Sequence, residues 1–152
     1  MHKPYRPPKK EARALNTYVK LMRAAESVTT RIHSYLSSVG LTLSQFAVLE
    51  ALYHLGSLSQ KEIGEKILRT SGNITMVIDN LEKRNLVSRK RDKKDRRYIN
   101  VQLTDAGFKL INKIFPPHAV VIMREMSVLT ASEQASLANL CKKLGLNKPA
   151  GT

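Results

Sequence analysis

Acidic side chains are scarce in this sequence: 12 Asp and Glu stand against 26 Lys and Arg, a net charge of +14 over 152 residues. That excess implies a polyanionic partner, most simply nucleic acid. Cysteine is rarer still, with a single residue. One thiol excludes a disulfide framework and any multi-cysteine zinc module, and it fits a reduced, cytoplasmic setting. No apolar run approaches about 18 residues, so no transmembrane helix and no membrane partner are expected. The first ten residues are basic and proline-rich, but no apolar stretch follows them, unlike a secretory signal. What remains is about one domain's length, with 42% hydrophobic residues to build a core.

The charge is concentrated. Residues 83–97 carry Lys83, Arg84, Arg89, Lys90, Arg91, Lys93, Lys94, Arg96 and Arg97 against Asp92 and Asp95 only, which is half of the +14 excess. Smaller basic clusters lie at each end: Lys3, Arg6, Lys9, Lys10 and Arg13, then Lys142, Lys143 and Lys148. Tyr98 is the one aromatic side chain near the main run. That poverty disfavours single-strand binding by base stacking.

Apolar spacing predicts a long helix over 11–39, ended by Gly40, with a stripe of Leu15, Tyr18, Val19 and Met22 continued by Val28, Ile32, Tyr35, Leu36 and Val39. A helix of that length packs against something beyond its own domain. Thr42–Gln45, Ser59–Glu62 and Thr130–Glu133 have capping-box spacing and open helices to about Leu55, Leu68 and Leu144. Another helix starts at Thr70 or Ser71 and runs to about Arg84, with Ile74, Val77, Ile78 and Leu81 on one stripe. The period then changes to two over Leu86–Arg91 and Tyr98–Leu103, a hairpin with an almost wholly basic tip. Ile99, Val101 and Leu103 share one face of its second strand. Thr104 caps a further helix, which Pro116 and Pro117 are expected to kink or break.

Three short helices followed by a hairpin make a winged helix-turn-helix. The polar N-terminal face of the helix before the hairpin suits a major groove, where each base pair shows a distinct pattern of donors and acceptors. The basic hairpin suits phosphates and can place an arginine in the narrow minor groove. The fold expected is mostly α with a small β-hairpin wing. A winged helix-turn-helix DNA-binding region spans 41–103, and a helical dimerisation region combines 11–40 and 104–146. Flexible tails, 1–10 and 147–152, flank them.

Leu81-Glu82-Lys83-Arg84-Asn85-Leu86-Val87, then Asp95-Arg96-Arg97, then Val101-Gln102-Leu103-Thr104-Asp105-Ala106-Gly107, occur in an order and spacing that carry a family pattern. Ser59 to Ile67, the Pro116-Pro117-His118-Ala119 stretch and the segment from Leu129 to Leu144 extend it. Residues from about 12 to 145 thus resemble a MarR-type (multiple antibiotic resistance regulator) transcriptional regulator. The resemblance implies a homodimer, with the first helix and the last two interlocked between subunits. It also implies a pseudo-palindromic duplex operator with half-sites about 10 bp apart, and a repressor released by a small aromatic or lipophilic effector. Arg97 matches the wing arginine of the minor groove and Asp95 the acid that holds it. Arg91, Lys93, Lys94 and Arg96 are then phosphate contacts. Ser71, Asn73, Thr75 and Met76 line the groove-facing edge of the recognition helix, and Arg69 meets the backbone at its entry. Asn85 stands where the family usually has glycine, and asparagine tolerates the left-handed conformation.

Other features read more plainly. Cys141 lies on an apolar stripe and is expected to pack in a core rather than act as a redox switch. His33, His54 and His118 have no i, i+4 pairing, so neither metal nor cofactor is expected; His118 suits helix packing or a dimer interface, and His33 and His54 either an effector pocket or the surface. An enzyme acting on a phosphorylated substrate would need a glycine-rich phosphate loop, paired carboxylates or a Ser/Cys–His arrangement, and none is present. The remaining alternative is an architectural or RNA-binding winged helix without ligand response. Selective binding to duplex operator DNA separates it from the regulator.

Overall fold

The computed structural model describes residues 4–67, 74–91 and 99–147. Its elements, in order, are α1 (Lys9–Ser38), α2 (Leu43–Leu55), β1 (Leu58–Ser59), α3 (Gln60–Lys66), α4 (Ile74–Lys83), β2 (Val87–Arg91), β3 (Ile99–Leu103), α5 (Asp105–Met126) and α6 (Ala131–Gly145). The helices therefore fall where the apolar spacing and capping boxes predict. Helix α1 begins slightly early, at Lys9 after Pro8, so Lys9 and Lys10 belong to a helix and not to a loose tail. Glu11 in its first turn accepts a hydrogen bond from Tyr5 Oη at 2.7 Å, and an acid there also suits the helix dipole.

All three capping boxes close. Thr42, Ser59 and Thr130 each accept from the backbone of the third helical residue, whose side chain bonds back to the cap. Two helices end in matching left-handed turns. After α1, Gly40 has φ 75° and Leu41 N donates to Leu36 O at 3.0 Å. After α4, Asn85 has φ 55° and Leu86 N donates to Leu81 O at 2.9 Å. Asparagine thus does the work of glycine at the second turn, as anticipated.

The strands form one antiparallel sheet in the order β1-β3-β2. Arg89 faces Val101 and Arg91 faces Ile99 across the hairpin, while Leu58 pairs with Val101 on the other edge. Strand β1 has only two residues, too short for any period to announce it. On β3 the shared face divides: Val101 is 1% exposed, but Ile99, at the end toward the hairpin tip, is 50% exposed.

The core gathers Leu36 from α1, Phe46, Val48, Leu49 and Leu52 from α2, Ile63 from α3, Ile78 and Leu81 from α4, Val87 and Val101 from the sheet, and Ile111 and Ile114 from α5. Helix α6 contributes no buried residue. The stripe on α1 is split: its C-terminal part packs, whereas Leu15, Tyr18, Val19 and Met22 are 40% exposed or more.

Two expectations are corrected. Cys141 is exposed and not packed in a core of this chain, because its whole stripe on α6 faces outward: Leu137, Leu140 and Leu144 are 42%, 65% and 60% exposed. Of the kink or break expected at the prolines, the break does not occur: α5 continues through Pro116 and Pro117 to Met126. Both lie on the exposed side, and the carbonyls they leave without a helical donor belong to Asn112 and Lys113, also exposed. Solvent can satisfy those groups there. Neighbouring helices brace the same stretch: Tyr35 Oη donates to Ile114 O at 3.1 Å and Tyr53 Oη to Asn112 Oδ1 at 2.8 Å.

Candidate nucleic-acid interface

Helix α4 carries the groove-facing candidates. Its inner stripe buries Ile78 and Leu81, which fixes the helix and turns Thr75 and Met76 outward. Met76 is 57% exposed. Thr75 is exposed but not free, since Gln60 Nε2 at the start of α3 donates to its Oγ1 at 2.5 Å. Arg91, at the last described position of β2, is exposed. Arg69, Ser71, Asn73, Lys93, Lys94, Asp95, Arg96 and Arg97 lie outside the described residues.

The basic run divides by use. Arg89 is 25% exposed and forms ion pairs with Asp79 and Glu82 of α4, the first at 2.5 Å. Its backbone N–H also donates to Glu82 Oε1 at 3.1 Å. Thr75, Asp79 and Glu82 recur at helical spacing along one side of α4. Arg89 therefore neutralises the two carboxylates that share that side with Thr75, and ties the wing to the helix. Burial lowers the guanidinium's pKa, but the hydrogen bonds to Asp79 and Glu82 outweigh it and the net shift is upward. Arg84 is also used internally: its Nη1 donates to Gly40 O at 3.0 Å, tying the end of α4 to the α1–α2 corner. The sequence places both arginines in the basic run without separating their roles. Glu82 and Asp79, at i−7 and i−10 from Arg89, are the signal that would have separated Arg89.

The base of the wing is stitched to α5. Thr104 Oγ1 accepts from Gly107 N at 3.0 Å and donates to Asn85 O at 2.6 Å, and Thr104 N donates to Leu86 O at 3.1 Å. A Cβ on Gly107 would sit 1.9 Å from Leu86 O. Glycine at this place is thus a requirement of close backbone approach.

The histidines separate. His118 is 4% exposed, its ring centroid 4.1 Å from that of Phe46, and its Nδ1 has no hydrogen-bond partner. Burial holds its pKa below the ordinary value. It is a packing residue within this chain. His33 lines a cavity of about 320 Å³ with Thr29, Thr30, Thr42, Leu43 and Ser44 at the α1–α2 corner. His54 lines another, of about 430 Å³, between α2 and α3. Among the described residues no three metal-ligating side chains converge, and no single helix is long and apolar enough to cross a membrane.

Known proteins are similar to this chain in sequence and in fold. The MarR family model matches residues 41–99. The HTH-type transcriptional regulator MhqR of Bacillus subtilis (strain 168) is 40% identical over 135 residues, covering 89% of this chain and 93% of that protein. BpsR of Bordetella bronchiseptica, a protein whose DNA binding is regulated by 6-hydroxynicotinic acid, superposes with a TM-score of 0.77 at 25% identity over 86% of this chain and 98% of that one. Sco3205, a MarR family transcriptional regulator from Streptomyces coelicolor solved in complex with DNA, gives a TM-score of 0.80 at 21% identity over 97% and 94%. From its helix-turn-helix to its glycine-stitched wing, the chain belongs to the MarR family of HTH-type transcriptional regulators.

Proposed function

We propose that the chain acts as a homodimeric repressor in the cytoplasm, holding a pseudo-palindromic duplex operator until a small aromatic or lipophilic effector releases it. The observation that carries DNA reading is the arrangement on α4, where the outward residues Thr75 and Met76 stand beside acids already neutralised by Arg89. The outer charge then falls to the hairpin, where Arg91 is exposed. In this reading Arg97 enters the minor groove held by Asp95, while Lys93, Lys94 and Arg96 meet phosphates. Arg69, Ser71 and Asn73 complete the entry and edge of the recognition helix.

Dimerisation is supported by apolar side chains left exposed on three helices: Leu15, Tyr18 and Met22 on α1, Met123 on α5, and Leu140 and Leu144 on α6. Exposed apolar surface of this kind marks an association face. Effector release is supported by the cavity beside His33, which adjoins the corner where Arg84 bonds Gly40. A molecule bound there acts through the difference in its affinity for the DNA-competent and released forms.

Selection from random duplex DNA with the purified protein, followed by a salt titration of the winner, tests this reading. A pseudo-palindromic consensus bound by two chains is expected. Tight, salt-sensitive binding without a consensus would overturn operator reading in favour of an architectural role, since phosphate contacts alone carry no sequence information.

A further inference from the structure

The Gln60–Thr75 hydrogen bond places a side chain from the first helix of the helix-turn-helix against a groove-facing residue of the second. Gln60 is well anchored. It is the first residue of α3, directly after the Ser59 cap. Ser59 Oγ and N both donate to Glu62 Oε2 at 2.7 Å, which lowers the Glu62 pKa. Ser59 also pairs with Asn100 of β3. The stem of Gln60 is therefore fixed by a cap and a sheet before its amide reaches Thr75.

A threonine hydroxyl has one proton and two lone pairs, and its proton rotates to suit the partner. Unassisted, it bonds acceptors and donors on base edges alike. Gln60 changes that balance: its N–H occupies a lone pair of Thr75 Oγ1, and a hydroxyl that already accepts is polarised to donate. A proton polarised in this way favours an acceptor on a base edge.

We infer that Gln60 is a specificity-determining residue, committing the Thr75 hydroxyl to donate to a base-edge acceptor such as guanine O6 or N7, adenine N7 or thymine O4. Gln60 acts through Thr75 and is a positioning residue. The inference rests on the reading that α4 enters the major groove.

The experiment measures affinity for the selected operator and for every single-base-pair change in one half-site, using the full-length protein and three variants. Thr75→Val locates the base pair concerned by losing its preference there. Gln60→Met keeps length without the donor, and its discrimination at that same base pair falls about three- to tenfold, with other positions unchanged. Gln60→Glu offers an acceptor instead, so Thr75 donates to the new carboxylate and turns a lone pair to the DNA. The favoured base there shifts toward one presenting a donor, adenine N6 or cytosine N4. Repulsion from the added charge lowers all affinities evenly and leaves the ratios intact. Gln60 variants that weaken every sequence by one factor, without altering the ratio at that base pair, overturn the inference. So does a Thr75→Val profile identical to wild type. Absence of any preference in the wild-type protein overturns the operator reading itself.

Discussion

Arg89 lies in the middle of the basic run, yet its guanidinium is bonded to Asp79 and Glu82. Replacing it by methionine leaves two carboxylates unpaired beside Thr75. Operator affinity of Arg89→Met is expected to fall about tenfold or more, whereas stability changes by no more than about 1 kcal/mol, since the pairs are partly exposed. Adding Asp79→Asn and Glu82→Gln should restore much of the affinity. A triple variant as weak as the single one would show that repulsion is not the cause. Arg97→Ala, by contrast, should weaken operator binding by ~1–3 kcal/mol with melting unchanged, and equal titrations of variant and wild type would remove that role. His118 provides a pH signature. Its folded pKa lies below the ordinary 6.5 because it is buried, so the unfolded chain binds the proton more readily. Stability is then full above about pH 6.5 and is lost as pH falls below it. Thermal melts at descending pH should show that slope in wild type and a flatter one in His118→Leu; parallel slopes would exclude His118 as the origin.

At the scale of elements, the caps were the most legible part. Thr42, Ser59, Thr104 and Thr130 open helices because an oxygen at the cap meets orphan N–H groups, a purely local matter that sequence spacing records. Asn85 was legible on a different ground, as a residue that tolerates the left-handed turn closing α4. Strand β1 was not, because its two residues are strands only through pairing with β3. Nor was the survival of α5 through its prolines, which depends on which side faces solvent. Gly107 and Gly64 give a matched test. Gly107→Ala forces a Cβ toward Leu86 O, and a loss of about 1–3 kcal/mol is expected, as for other overpacked sites. Gly64 sits within α3 with open space around it, so Gly64→Ala should gain about 0.4–1 kcal/mol. Chemical denaturation of both reads the contrast; a tolerated Gly107→Ala would contradict the close approach.

Over the whole molecule, the division of α1 and the outward stripe of α6 carry the largest consequence. The amphipathic pattern of each was plain in the sequence, but a pattern does not say whether its partner is the same chain. Cys141 was misread for that reason: apolar neighbours suggested a core, but none of them is buried in this chain. Leu140→Glu with Leu144→Glu should convert a dimer into monomers in light scattering. Alkylation of Cys141 should be slow in the dimer and fast in that variant. A wild-type protein that scatters as a monomer would sink the association reading, leaving those leucines without a purpose.

Helix α6 buries none of its own side chains against the chain that bears it, although its N-terminus is well capped. Its amides are therefore protected by little besides their own helical ladder whenever a second chain is absent, and short isolated helices fray in water. In hydrogen–deuterium exchange the deuterium uptake of residues 131–145 becomes an internal gauge of association. It should quicken on dilution while the amides of α2, seated in the core, keep their pace.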